Sequence, residues 1–516
     1  MDIWNYIEIL GQTRQNWLYK KDNIEERLIA LTKILEWGHP STIQNLIPFL
    51  KDRNREIQQT TCNVIIQLFK KIKTKKGYYD ALKHCDISKS DIDLYKNTFT
   101  QEQFIQLLSI ASLNSSGYIR EKAVKNLSES NNAKAIQFIV YRLADWVLAV
   151  RQSALQGIEK FKETQHINAL VDNLSIFRWL QNVERTDLSS VYNGIINFIL
   201  TENKEYVYKN FSSFPEKARL LLAKQISSST GITLVELRLL LGDKSFLIRN
   251  FALDHFNKLS KEDINSLLND KSASVRIQVL YKLKSQRGFT QLIHTFLVDK
   301  SASIREFARF SLKSEVADFA TLYNNNLYHG EAIYASLCGL GETNGKEFSK
   351  NIEPFLRDNK LKIKKAAFLA LTKLDEQKAY EFALINLNNE SSGIRNVAIE
   401  FLQKKINVAV LKRARKIYEE GDVGLKRAML KMFNNIGTWT TVADIIIGTI
   451  DENENIRNLS FGYLQMWKAK AVRLFTQPKA DELERAKKIL SFAFEMHEDK
   501  KYFKENPLTG LDFYLR

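Results

Sequence analysis

Six prolines and 20 glycines are few for a chain of 516 residues. So little punctuation argues against loop-rich β-domains and for a long helical array. Cysteine is equally scarce. Cys62, Cys85 and Cys338 are too few and too scattered for a disulfide framework or a cysteine-rich zinc site, which points to a reducing compartment. No stretch approaches the roughly 18 apolar residues that a membrane span needs. The start, MDIWNYIEIL, has no basic segment ahead of an apolar one and does not read as a secretory signal, so a cytoplasmic protein is expected.

Catalytic signatures are missing too. The chain has no G-x-x-x-x-G-K-[ST], G-x-G-x-x-G, H-E-x-x-H, G-x-S-x-G or C-x-x-C pattern. Its 7 histidines never fall at a ligand spacing, and His84 beside Cys85 points about 100° away on a helix. No catalytic residue, metal, cofactor or small-molecule site is expected.

What is present is a sizeable core and a positive charge. Hydrophobic residues make up 44% and charged ones 26%, enough to exclude a disordered chain. Lys+Arg 76 against Asp+Glu 59 gives +17, which allows a nucleic-acid partner without establishing one.

A repeat runs through nearly the whole sequence. LGDKSFLIRNFALDHF (241–256), LNDKSASVRIQVLYKL (268–283) and LVDKSASIREFARFSL (297–312) share an acid, four variable residues, a β-branched residue and Arg, then apolar residues at helical spacing. The basic position recurs at Arg120, Arg151, Arg249, Arg276, Arg305, Lys364, Arg395, Lys426 and Arg457, the last four each 31 residues apart. Weaker copies lie near Glu184, Lys217 and Gly330. The segments 75–105 and 199–232 fit least well. A helix over 481–498 within a 478–516 tail is expected to close the 1–477 array.

This frame resembles the HEAT-repeat superfamily, in particular its short bacterial HEAT-like and armadillo-type members with a D-x-x-x-x-[VI]-R turn. The resemblance implies an all-α, right-handed α-α superhelical solenoid of about fifteen helix pairs. Toward function it implies little, since the superfamily spans scaffolds, transport receptors, regulatory subunits, bilin lyases and alkylpurine DNA glycosylases. For a glycosylase the candidates would be Asp145 with Trp146, and Asp254. However, Asp145 is the turn acid of its own repeat, and Asp254 has no Trp in its repeat.

The repeat's acid and base have a structural reading. The acid can cap the first turn of the following helix, and the base can reach the acid of the neighbouring repeat. The residues of this ladder are Asp243, Arg249, Asp270, Arg276, Asp299, Arg305, Asp358, Arg395, Asp451 and Arg457.

The same frame predicts which side chains meet a partner. Positions −1, +3, +6, +7 and +10 from the base form the core, so +1, +5 and +8 face the other way, on the concave side that the resemblance assigns to second helices. Asn and Gln recur on or beside this face: Gln59, Asn63 and Gln67 in the repeat around Gln58, then Gln152, Gln156, Asn250, Asn257, Asn396, Gln403, Asn434, Asn458 and Gln465. Amides offer donor and acceptor together, which suits an extended peptide. Basic residues on that face (Lys125, Lys284, Lys313, Lys365, Arg427, Lys431) nearly match the acidic ones (Glu121, Glu159, Asp254, Glu306, Glu400), so the net charge does not gather where a duplex would lie. Large apolar exceptions are Ile277, Tyr281, Phe310 and Leu369. Together these residues predict a protein- or peptide-binding patch at Ile277, Tyr281, Lys284, Phe310, Lys313, Lys365, Leu369, Asn396, Gln403, Arg427 and Lys431. The second reading is an anion or nucleic-acid contact at Lys70, Lys71, Lys73, Lys75 and Lys76. The seven tryptophans are expected to pack between repeats.

Overall fold

The computed structural model describes residues 3–11, 14–16, 19–21, 23–229, 231–471, 473 and 477–515. Trp17 and Arg516 lie outside the described residues. Helices account for nearly all the regular structure. The exception is a two-stranded antiparallel ribbon, Arg14–Asn16 with Tyr19–Lys21, in which Arg14 stands opposite Lys21. The chain forms two compact units, Met1–Gln278 and Val279–Arg516.

In the first unit, helix pairs stack on one another through their second helices. Gly117–Glu129 packs on Leu148–Lys160, and Glu216–Ser227 on Phe246–Ala252. The apolar residues at helical spacing form the seam: Ile119, Ala123, Val124 and Leu127 are all buried. Small residues set how closely helices approach. A Cβ on Gly157 would lie 2.1 Å from Ser128 Oγ, so only glycine lets these two helices touch. The second unit repeats the plan. Ile333–Glu342, Leu361–Leu374 and Ser392–Leu402 pack in succession, as do Val423–Ile436 and Glu454–Ala471. The expected core positions of the 364 repeat, Ile363, Ala367, Ala370, Leu371 and Leu374, are all buried. This stacking of helix pairs is the architecture that the resemblance to HEAT-like repeats implies.

The two helices of a pair begin differently. First helices start with side-chain caps: Ser88, Thr100, Thr233 and Ser260 each form a capping box with the residue three positions on. Most second helices do not, although Asn54 caps Arg55–Lys70 and Asp422 caps Val423–Ile436. Ser116, Val147, Ser245, Ser301, Lys360 and Ser391 stand at the N-cap position without a side-chain cap bond. At Asp243 and Asp270 the repeat's Asp does not cap the helix, contrary to expectation, because it lies two residues ahead of the N-cap. It folds the preceding turn instead: Asp243 Oδ1 accepts from Ser245 N at 2.7 Å, and Asp270 Oδ1 from Ser272 N at 2.7 Å.

The two irregular segments have distinct causes. Over 75–105 the chain forms three helices, Lys75–Leu82, Lys89–Thr98 and Gln101–Ala111. Within 199–232 a π-helical turn, Phe198–Glu202, precedes Lys204–Asn210 and Glu216–Ser227. At the other end Ala480–Lys500 packs on Trp439–Gly448, and Leu508, Leu511 and Leu515 are buried. Trp467 is buried there between Trp439 and Tyr514, at ring centroid distances of 5.2 and 6.1 Å. Not every tryptophan packs inside as expected: Trp4, Trp37 and Trp146 are more than half exposed.

Candidate partner-binding surface

The repeat arginines make a backward bond and, in several repeats, a forward one, Arg151, Arg395 and Arg457 making the backward kind alone among the bonds to described residues. Nη1 donates backward to the carbonyl that opens the arginine's own turn: Arg249 to Asp243 O at 2.7 Å, Arg276 to Asp270 O at 2.6 Å, Arg305 to Asp299 O at 2.6 Å, Arg395 to Asn389 O at 2.7 Å and Arg457 to Asp451 O at 2.9 Å. Where a forward bond forms, the remaining nitrogens make it. Arg249 grips both oxygens of Asp270 at 2.7 Å, and Arg120 both oxygens of Asp145 at 2.8 Å. Lys426 meets Asp451 at 2.8 Å.

Two rungs escaped the sequence. Arg219 pairs with Asp243 at 2.8 Å although its repeat looked degenerate, and Arg27 pairs with Asp52. Their signal was an arginine about 25 residues ahead of an Asp turn. Elsewhere the expectation fails. Arg305 pairs with Glu342, not with an aspartate, because its neighbouring helix, Ile333–Glu342, ends on that glutamate. Asp358 only holds its own turn, accepting from Lys360 N at 2.6 Å. Arg395 meets no carboxylate among the described residues, and its buried Nε finds no hydrogen-bond partner among them.

These ion pairs set the acidity of the turn. Burial pushes the Asp145 carboxyl up, but the Arg120 hydrogen bonds, the Val147 N–H and Arg142 outweigh it and hold the group below its ordinary value. Asp270 is held down likewise, by Arg249 and the Ser272 N–H against burial. With two arginines and a backbone N–H on it, and 5% exposure, Asp145 is bound into the frame and cannot reach a substrate. Asp254 is exposed but accepts from Ser227 Oγ at 3.2 Å, and no tryptophan stands beside it in its helix.

The predicted patch divides between the units. Ile277 belongs to the first unit and is half-buried. In the second unit Tyr281 is 54% exposed, Phe310 68% and Leu369 42%, which are high values for large apolar side chains. Lys284 Nζ lies 5.7 Å from the Phe310 ring centroid, and Tyr281 packs at 4.5 Å against Phe307, which is buried. Tyr281, Lys284 and Phe310 therefore adjoin. Lys313, Lys365, Asn396, Arg427 and Lys431 are exposed. Gln403 is half-buried and accepts from Asn435 Nδ2 at 3.1 Å, while Asn434 is buried and leaves the amide face.

The lysines at 70–76 are mostly committed within the fold. Lys71 Nζ donates to Leu35 O at 3.0 Å and Gly38 O at 3.3 Å, closing the end of Ile24–Trp37, and Lys73 donates to Lys70 O at 3.3 Å. Lys75 Nζ sits 3.1 Å above the Trp179 ring centroid. Burial and Arg142 bring this ammonium down to about 8. Lys70 and Lys76 are exposed.

Two open grooves stand out, the first lined in part by the expected amides Asn63 and Gln67 and by Lys70. One of about 620 Å³ in the first unit is lined by Thr60, Asn63, Gln67, Lys70, Gln103 and Gln106, among others, with Gln103 Nε2 donating to Asn63 Oδ1 at 3.0 Å. The other, about 780 Å³ in the second unit, lies along Val408–Glu420 and the start of Ala480–Lys500, where Arg415 and Arg485 share the buried Asp444. Among the described residues no group of three His, Cys, Asp or Glu side chains could hold a metal ion, and no helix is long and apolar enough to cross a membrane. Burial raises the Cys62 and Cys85 thiols to about 12.

No family model and no curated protein matches the chain. Among solved structures, it is similar to a chain of the Kap95p–RanGDP complex at 11% identity, covering 100% of this chain and 67% of that one, with a TM-score of 0.28. It is also similar to a chain of the S. pombe condensin Cnd3–Cnd2 subcomplex at 13% identity, covering 96% and 76%, with a TM-score of 0.33.

Proposed function

We propose that the chain is a non-catalytic scaffold or adaptor that grips another protein, or an extended peptide, along the outward faces of its second helices, with a contact centred on Tyr281, Phe310 and Leu369. The carrying observation is that these side chains stand exposed at helix positions that the repeat otherwise gives to polar residues. Aromatic and leucine anchors beside Lys284 and Lys365, with amides at Asn396 and Gln403 further along, have the make-up of a protein contact: apolar centre, polar rim. The near balance of charge on that face argues the same way, since a polyanion would need a basic row. The lysines at 70–76 support the nucleic-acid alternative poorly, three of the five being held by carbonyls or a tryptophan ring.

The test is a pull-down of tagged full-length protein from its native host, washed at low and then high salt, with protein and nucleic acid both measured. A stoichiometric protein should survive high salt and be lost on Phe310→Asp, while thermal unfolding moves little because Phe310 is exposed. Retention of every partner by Phe310→Asp, or recovery of nucleic acid alone that the salt wash removes, would defeat the reading.

A further inference from the structure

The rungs of the ladder fix what the basic position of a repeat binds. Arg120, Arg219, Arg249 and Lys426 each meet a carboxylate, at sequence separations of 25, 24, 21 and 25 residues. A lysine serves as well as an arginine, as the 2.8 Å contact of Lys426 with Asp451 shows. Counting 25 residues on from Lys364 arrives at Asn389. Asn389 preserves the turn in detail. Its Oδ1 accepts from Ser391 N at 2.9 Å and its carbonyl from Arg395 Nη1 at 2.7 Å, as Asp270 accepts from Ser272 N at 2.7 Å and Arg276 at 2.6 Å. The other side-chain atom is an NH2 group that donates to Asn386 Oδ1 at 2.8 Å. The shape of the rung is kept and its negative charge is gone.

The cations around it have no other carboxylate. Arg357, Lys360, Lys362, Lys364 and Lys365 fall within nine residues, and none of the five pairs with an acid among the described residues. Lys362 lies 4.0 Å from the Tyr334 ring centroid, while Arg357, Lys360 and Lys365 are exposed. Arg395, one repeat on, also meets no carboxylate among the described residues, and its Nε finds no partner among them. Apart from the Lys362 contact with the Tyr334 ring, this charge is not paired within the fold among the described residues. These residues surround the start of Leu361–Leu374, where the helix dipole repels cations, whereas Lys70, Lys71 and Lys73 stand at a helix end, where it favours them.

We propose that this edge of the 358–402 repeats binds an acidic segment of a partner protein, whose Asp or Glu side chains supply the carboxylates that Lys364 and Arg395 lack. The inference rests on the scaffold reading and adds the chemical character of the partner. A carboxylate fits better than a phosphate backbone, because every rung already formed in this chain takes one carboxylate, and because Asp358, Glu353 and Glu390 interrupt the basic row that a nucleic acid would follow.

The experiment measures fluorescence anisotropy of a labelled octaglutamate peptide, and of an oligothymidylate of equal charge, with the full chain at low salt. Octaglutamate should bind and weaken as salt rises. Its Kd should rise about tenfold, equivalent to about 1.4 kcal/mol, in Lys360→Gln/Lys364→Gln. It should rise about threefold in Asn389→Asp, which gives Lys364 a carboxylate within the chain and leaves the cations in place. Lys412→Gln/Lys416→Gln, on the exposed side of Val408–Glu420, is the control and should bind like wild type. Unchanged octaglutamate affinity in both test variants overturns the proposal, as does tighter binding of oligothymidylate that the same variants abolish. The two readings fail separately. A host partner lost on Phe310→Asp yet kept by Lys360→Gln/Lys364→Gln would leave the scaffold standing and remove the acidic edge. Octaglutamate binding that needs Lys364, with partners indifferent to Phe310→Asp, would do the reverse.

Discussion

Arg120 and Lys364 occupy the same position in their repeats and lead opposite lives. Arg120 is fully buried, grips Asp145 through two hydrogen bonds and also donates to Asn114 O and Ser115 O. Lys364 is half-exposed, and the residue 25 positions on, where Arg120 has Asp145, is the uncharged Asn389. One site uses electrostatics to fix the spacing of repeats; the other leaves its charge available to something else. Since both turns have the same backbone bonds, the shape of the turn does not depend on the ion pair. What the pair adds is attachment between repeats.

The comparison breaks most visibly if Arg120 is removed. Arg120→Ala leaves Asp145 buried with one arginine in place of two and should cost about 3–5 kcal/mol, whereas Lys364→Ala should stay within about 0.5 kcal/mol. Hydrogen exchange over Gly117–Lys160 and over Leu361–Leu402 reads the two effects locally, which suits an array whose neighbours unfold semi-independently. Equal loss of protection in both places would show that the pair is not what attaches the repeats.

Acid offers the next largest contrast. Asp145 and Asp270 have folded values below their ordinary ones, so their contribution is complete above the unfolded value, roughly 3.9, and is lost as pH falls through the folded value. The 364 rung has no carboxylate to protonate. On titration from pH 5 to 2, the Arg120 and Arg249 repeats should lose protection from hydrogen exchange before the turn at Asn389 does.

The second unit has an earlier weakness at its end. His497 is 6% exposed, accepts or donates at Thr449 Oγ1 over 3.1 Å, and is held below its ordinary value by burial and by Arg457. A depressed histidine keeps its full contribution above the unfolded value, near 6.5, and loses it as pH falls. Helix Ala480–Lys500 should therefore loosen as pH falls below about 6.5, followed by Trp467 fluorescence, and His497→Gln should remove that step. Loosening with the same midpoint in His497→Gln would assign it to another group.

The smallest effect sharpens the comparison most. Asn389→Asp should stabilise the 358–402 repeats by up to about 1 kcal/mol, the range of a partly exposed pair, seen as a raised thermal midpoint. No gain would mean that Lys364 does not reach the turn.

The helix pairs, their seams and most ladder residues were legible because burial at a 3.6-residue period and a repeated D-x-x-x-x-[VI]-R turn are local patterns. Arg219 and Arg27 were missed because the matching acid lies in the next repeat, beyond any local window. Tyr281, Phe310 and Leu369 stood out from the sequence by breaking the polar face, whereas Ile277 is half-buried and Asn434 is buried. The Lys70–Lys76 run looked like one basic site. It separates in the fold into two carbonyl contacts, a tryptophan face and two exposed ends.

By itself the sequence determined that the chain is helical, repeating and buried along one stripe of each helix, since period, breaker scarcity and turn chemistry act over a few residues. Only the tertiary structure decided which cations are paired. Attraction between charges depends on distance in space, and two residues 25 apart in the chain meet or miss according to a single oxygen or nitrogen on the next turn, as at Asp145 and Asn389.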